Sequence, residues 1–422
     1  MKYFHLFDTQ SEHDNVFKGN DYSEPWSAYI NNNKRTTYNQ KHIKGTSASA
    51  YIPSRSDLSA YTFDNSFDIT NVDNALTDLS YAFSASPVQS ITEWGVDTSN
   101  VTNMNYMFDY SKQLTDISGL SGLNTSNVTS MVGTFCYCQN LSDISPLAKW
   151  DTSNLINMRE MFSYSNITDT SYINHWDTRN VTSLEATFNY CQNLETLDLS
   201  YWDVSNVTLL HNTFSTCRKI KDISSLSRWN TRNVKQMNGI FTNCSNLTNI
   251  QAMRNWDTSN NFDLSFIFSH CSSLKDISPI KNLNTSKLTI TQQMFNGCTS
   301  LEDFSPIYYW DTSELSFLWL MFANCTSLKT IDLSHWDTNK FSSIYSLFEN
   351  DTNLKTINLS NWTLGNYGDE FTMQNMFKNC TSLTTVILQK VPSDKQQLFL
   401  KQLATDLPNY TWTLHNNIIS RS

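Results

Sequence analysis

Nine cysteines have the widest chemical reach of any residue type in this chain of 422 residues, as nucleophiles, metal ligands or disulfide partners. Zinc sites draw on Cys-x2-Cys pairs, but the closest pair here is Cys136-x-Cys138. Among the eight histidines there is no His-x-x-x-His, and neither Gly-x-Ser-x-Gly nor Gly-x-Gly-x-x-Gly occurs. Carboxylates are plentiful, with 39 Asp and Glu, and a pair of them across a groove could hydrolyse a glycoside. Recurrent Asp could hold calcium, and recurrent Trp could stack on sugars. Each of these readings depends on where the residues stand relative to one another.

The elements that position them come from a repeat. Asp-Thr-Ser-Asn at 97–100 returns as Asn-Thr-Ser-Asn at 124–127, Asp-Thr-Ser-Asn at 151–154 and Asp-Thr-Arg-Asn at 177–180. It continues to Asp-Thr-Asn-Lys at 337–340, in steps of 26 or 27 residues, with an eroded copy from Thr363 and a degenerate first coil over Asp68–Phe83. After each turn, apolar residues such as Val101, Met104 and Phe108 stand at i, i+3 and i+7. That spacing predicts a short helical turn. Six residues beyond the Phe comes Leu194-x-x-Leu197-x-Leu199, repeated as Leu328-x-x-Ile331-x-Leu333, whose end alternates as a strand does. Leu-x-x-Leu-x-Leu at such a period is a leucine-rich-repeat signature. The expected fold is a leucine-rich-repeat solenoid of about twelve stacked coils, each a short strand plus a helical turn, with terminal caps. Twelve coils at about 4.8 Å would run roughly 55 Å.

Placed on the repeat, the reactive residues become columns. Cys138, Cys191, Cys217, Cys244, Cys271, Cys298, Cys325 and Cys380 each follow the repeat Phe by three positions, and only Cys136 is off register. Buried free thiols are the preferred reading, over oxidised neighbouring pairs or metal. Trp150, Trp176, Trp202, Trp229, Trp256, Trp310, Trp336 and Trp362 share a slot that Leu123 and Leu283 also fill. A slot that accepts Leu wants bulk, which favours core over a sugar platform. Asp97, Asp151, Asp177, Asp203, Asp257, Asp311 and Asp337 open the turn, and Asn replaces Asp at 124, 230 and 284. A turn or helix cap tolerates that exchange better than a calcium site does. The recurring Asn-Val-Thr glycosylation pattern is generated by the repeat itself.

Residues 1–66 show no period, 67–388 form the array, and 389–422 read as a cap. In that cap Pro392-Ser393-Asp394 reads as a helix start with Ser393 as its N-cap, the helix carrying Leu398, Leu400, Leu403 and Leu407, and Tyr410, Trp412 and Leu414 alternate as a final strand. The net charge of −10 argues against a phosphate-tracking nucleic-acid binder. No apolar stretch approaches the roughly 18 residues of a membrane span. The apolar run after Met1 is too short for a signal-peptide core, and no sorting motif or hydrophobic tail stands before Ser422.

Trp-Asp-Thr-Ser-Asn-Val-Thr-x-Met followed by Met-Phe-x-x-Cys-x-x-Leu resembles the BspA-like leucine-rich-repeat proteins of bacterial surfaces, in the form common in mycoplasmas and lactobacilli. The resemblance covers about 94–388. It implies a solenoid that is secreted or surface-anchored and used for adhesion or binding to a host or matrix protein or a glycan. From the residues themselves, no cofactor and no metal are expected.

Binding is therefore expected on the outward slots of the strand face. These hold Asp116, Asp143, Glu195, Asp198, Asp222, Asp276, Glu302, Asp303 and Asp332, an acid-and-hydroxyl surface that a solvated solenoid side would also show. Departures from the repeat are the other candidates: Tyr308 and Tyr309 before Trp310, and Trp319 in a slot that is usually polar. The expected function is non-catalytic binding or adhesion. Its alternatives are an intracellular or phage-type interaction scaffold and a carbohydrate-active solenoid.

Overall fold

The computed structural model describes residues 77–92, 94, 97–364 and 373–422. The non-repeat segment 1–66 and the opening of the degenerate first coil lie outside them. Across the described residues the chain winds as a solenoid whose coils stack in register and share one hydrophobic core running from Leu79 to Ile419.

The Asp-Thr-Ser-Asn motif is explained residue by residue. The Asp carboxylate closes a turn: Asp97 Oδ1 accepts the Ser99 N–H at 2.8 Å, and Asp151 and Asp257 do the same for Ser153 and Ser259 at 2.9 Å. The Thr staples forward, Thr98 Oγ1 donating to the Asn124 carbonyl and accepting its N–H. The Asn clamps backward, as when Asn127 Nδ2 donates to the Ser99 carbonyl at 2.6 Å and Asn154 Nδ2 to that of Ser126 at 2.8 Å. Asn at the first position makes the same turn, Asn124 Oδ1 taking the Ser126 N–H.

The helical turn expected over Val101–Phe108 and its counterparts does not form. Met104, Tyr106, Phe108 and Tyr110 instead donate their N–H groups to carbonyls of Ser130, Val132, Thr134 and Cys136 on the next coil, at 2.7–2.9 Å. The N–H groups between them, on Met107, Asp109 and Ser111, turn back to the carbonyl three residues earlier. Tyr106 and Tyr110 sit in the left-handed region, at φ 56° and 58°, so the helical path is broken twice, four residues apart. A ribbon of linked turns buries positions three and four apart as a helix would, and it also bonds to its neighbours along the stack. The side so formed carries a parallel ladder through Asn103, Ser130, Asn157 and Ser183, and another through Asp263, Ile290, Phe317 and Ser343.

The Leu-x-x-Leu-x-Leu side is also sparser in strand than expected. Before the C-terminal coils it makes only single bridges, at Asp116, Asp169, Thr196, Asp222 and Asn249 among others, and short 3-10 turns such as Ser145–Lys149, Ser224–Arg228 and Ser305–Ile307 follow, with or without a bridge before them. Near the C-terminus it becomes a sheet: β1 (Thr330–Asp332), β2 (Thr356–Asn358) and β3 (Thr385–Ile387) pair in parallel. Helix α1 (Ser393–Asp406) follows, with Pro392 rather than Ser393 at its N-cap and no side-chain cap bond. Phe399 and Leu403 are its buried apolar residues, while Leu398 and Leu400 are only partly buried. The expected last strand is β4 (Trp412–His415), but β5 (Ile418–Arg421) returns from it and inserts antiparallel between β3 and β4. Asn416 and Asn417, both at positive φ, make that hairpin turn.

Down the core, the repeat Phe rings stack from Phe83 to Phe377 with centroids 5.1–6.4 Å apart. The Trp column stacks beside them, Trp150 on Trp176 at 6.3 Å and Trp176 on Trp202 at 6.5 Å.

Candidate functional site

All nine cysteines are buried and free. The thiols of the Cys column each donate to the repeat Phe carbonyl one coil earlier: Cys138 to Phe108, Cys217 to Phe188, Cys271 to Phe241 and Cys325 to Phe295, at 3.1–3.2 Å. Burial pushes these thiols up, Cys191 and Cys244 to about 12. A thiol held in its neutral form is a poor nucleophile. The Trp column is spent in the same way, Trp150 Nε1 donating to the Leu120 carbonyl and Trp202 Nε1 to that of Ile173, both at 2.9 Å. Among the described residues no group of three or more His, Cys, Asp or Glu is placed to hold a metal ion.

The acidic candidates of the strand side are outward, and most have a structural partner. Asp116, Asp143, Asp198, Asp222, Asp276, Asp303 and Asp332 each accept the N–H two residues on, at 2.7–3.2 Å, and so shape the turn after the strand. Glu302 lies 3.4 Å from Lys329 Nζ, and Glu195 is exposed.

Tyr308 and Tyr309 lie on a different edge, between a 3-10 turn and Trp310. Their rings meet edge to face at 4.7 Å, and Tyr308 packs on His335 at 4.1 Å. Tyr309 is 72% exposed, as Tyr201 is at 71% on the same edge.

Trp319 belongs to a group that sequence reasoning did not assemble. It stands on the ladder of linked turns, where most outward residues are Thr, Ser or Asn. Over four consecutive coils, however, this side carries Phe262, Phe266, Ile290, Phe317, Trp319 and Tyr345, with Phe262 and Phe317 about 40% exposed. Ile290 and Phe317 are direct bridge partners. Trp319 Nε1 donates to Gln292 Oε1, and Asn375 Nδ2 donates to the Tyr345 hydroxyl at 3.1 Å, so amides on neighbouring coils fix both rings. The charge here is sparse: Asp263 is the acid in these slots, and burial raises its carboxyl above the ordinary range. Writing the chain in rows of 26 or 27 aligns Ile290 with Phe317 and Trp319 with Tyr345, whereas Phe262 and Phe266 fall in other columns and join them only through the fold.

A second file was also missed. Tyr110, Tyr137, Tyr164 and Tyr190 stack face to face at 4.2–4.3 Å, each at left-handed φ. Asn324, Asn350 and Asn379 hold the same slot in later coils and bond amide to amide, Asn350 Nδ2 to Asn324 Oδ1 and Asn379 Nδ2 to Asn350 Oδ1.

No curated protein matches the chain by sequence. Among solved structures, it is similar to a leucine-rich repeat protein from Bacteroides ovatus ATCC 8483, at 18% identity over 75% of this chain and 77% of that one, with a TM-score of 0.37. It is also similar to a leucine rich cell surface protein from Faecalibacterium prausnitzii A2-165, at 17% identity over 74% and 86%, with a TM-score of 0.35. Closer kinship comes from three overlapping segments, 77–172, 164–278 and 262–390, which all match one family and together span most of the chain. On those matches the chain belongs to the family described as Mycoplasma protein of unknown function, DUF285.

Proposed function

We propose that the protein is a non-catalytic binding protein, used in adhesion, that engages its partner through the ladder side centred on Phe317 and Trp319. The observation that carries this reading is the run of large apolar side chains on consecutive coils of a face where apolar residues elsewhere, Ile156 and Leu209, stand singly. Exposed aromatics grouped in this way are the usual anchors of interfaces. The reactive residue types support it from the other direction, because the thiols and indole N–H groups of the two columns and most Asp carboxylates are engaged in building coils. Surface display accords with the BspA-like character of the repeat, and among the described residues no helix is long and apolar enough to cross a membrane. The acidic file from Asp116 to Asp332 ranks second as a contact surface, suited to basic or hydroxyl-rich groups.

A panel of immobilised host matrix proteins and glycans tests the reading. The native chain should bind at least one member, and Phe317→Ser/Trp319→Ala should lose that binding while melting at the same temperature. Retained binding by the double variant would move the site elsewhere, and loss in Asp276→Asn/Glu302→Gln would move it to the acidic file. Turnover of a polysaccharide, abolished by those acid changes, would favour a carbohydrate-active solenoid. Protease shaving of intact cells separates surface display from an intracellular scaffold.

A further inference from the structure

We propose that the ladder-side patch is a subsite for a neutral polysaccharide lying along the solenoid axis. The inference rests on the binding reading above and names the ligand class for that surface.

Ring availability is the first argument. The core Phe and Trp rings and the Tyr110–Tyr190 file stack on one another, so their faces are covered. Phe262, Phe317, Trp319 and Tyr345 stack on no other ring among the described residues. Apolar faces of this kind accept the C–H face of a sugar ring. Trp319 and Tyr345 are additionally held by amides, which removes part of the ordering cost of binding.

Beside the rings stand groups suited to hydroxyls and not to charges. Gln292 and Asn375 hold the rings, Gln293 Oε1 accepts from Asn296 Nδ2, and the Ser316 and Ser342 hydroxyls lie 2.8 Å apart. Charge is thin here: Lys340 Nζ lies 2.5 Å from Glu314 Oε1, Lys287 Nζ donates to the neutral Asn260 Oδ1, and Lys235 is exposed one coil before Phe262. Two separated lysines make no continuous cationic track for an anionic polymer.

Spacing agrees as well, because adjacent coils are separated by about 4.8 Å, close to the length of one pyranose unit in an extended chain. Successive sugars would thus meet successive coils.

Affinity electrophoresis of the full chain in gels containing β-1,3-glucan, hydroxyethylcellulose or galactomannan tests this, with alginate and heparin as the anionic arms. The expected result is retardation in at least one neutral gel, unchanged by high salt and weakened about tenfold or more by Phe317→Ser/Trp319→Ala. Tyr172→Ser, an exposed change on another side of the coils, should be retarded as the native chain is. Retardation only by the anionic polymers and abolished by salt, or a double variant still retarded, overturns the proposal. Capture of a matrix protein that is lost in the double variant, with no neutral polysaccharide bound, overturns the ligand class and leaves the binding surface standing.

Discussion

Asp351 Oδ1 accepts the backbone N–H of Cys325 at 2.7 Å from within the column that cysteine fills on the coils before and after it. The flanking members, Cys325 and Cys380, send their thiols to the Phe295 and Phe348 carbonyls. Asp351 Oδ2 is buried with no partner, and burial pushes its carboxyl well above the ordinary range. A thiol in that place would supply the missing donor to Phe322. Asp351→Cys should therefore stabilise the protein by about 1–3 kcal/mol at neutral pH in urea titration. Loss of stability would show that the carboxyl is satisfied.

Asp109 gives the fold a pH dependence. Burial, reinforced by Glu160, raises its carboxyl to about 8 from an ordinary 3.8. The folded chain keeps a proton that the unfolded chain releases, so stability is fullest below about pH 4 and falls as pH rises toward about 8, by up to about 1.4 kcal/mol per unit. Asp109→Asn should remove that component. The gap in melting temperature between variant and native chain should widen in favour of the variant from pH 5 to pH 8. Parallel curves would contradict the assignment.

Gly133 lies at φ +57° with the Tyr106 ring 2.5 Å from where a Cβ would stand. Ala186 occupies the equivalent slot at φ 51°, so the backbone itself accepts alanine. Gly133→Ala should cost about 2–3 kcal/mol, falling to about 1 kcal/mol when combined with Tyr106→Ala. Equal costs in both backgrounds would remove the ring from the explanation.

Phe214 stacks between Phe188 at 5.6 Å and Phe241 at 5.9 Å, near the middle of the column. Phe214→Ala should cost about 3–5 kcal/mol. In a one-dimensional stack it should also uncouple the two halves, giving a second unfolding step or a lower denaturant slope. A single transition of unchanged slope would mean that coupling runs through the ladder bonds instead.

The columns were legible because a fixed period forces like residues to meet, and Phe135, Cys138 and Trp150 fall where the repeat puts them. The path between them was not. Val101, Met104 and Phe108 fit a helical face, and nothing in Tyr106 or Tyr110 announces left-handed backbone, which Asn or Gly would have done. The turn role of Asp97 could be read from residue type, whereas the clamp made by Asn127 depends on contact with the neighbouring coil. Trp319 stood out as a departure from the repeat. Its partners Phe262, Ile290 and Phe317 did not, since their neighbourhood exists only once register is fixed. β5 was missed although Asn416-Asn417 between two β-prone runs is a hairpin signal.

Hydroxyl-radical footprinting of the full chain, with and without a saturating partner identified by the binding panel, tests most directly whether the exceptions to the repeat carry the function. Protection should centre on Phe262, Phe317, Trp319 and Tyr345, with Tyr172 and Tyr201 on other sides of the coils unchanged. Protection of Tyr172 and Tyr201, with the ladder-side aromatics still open to attack, would contradict the account.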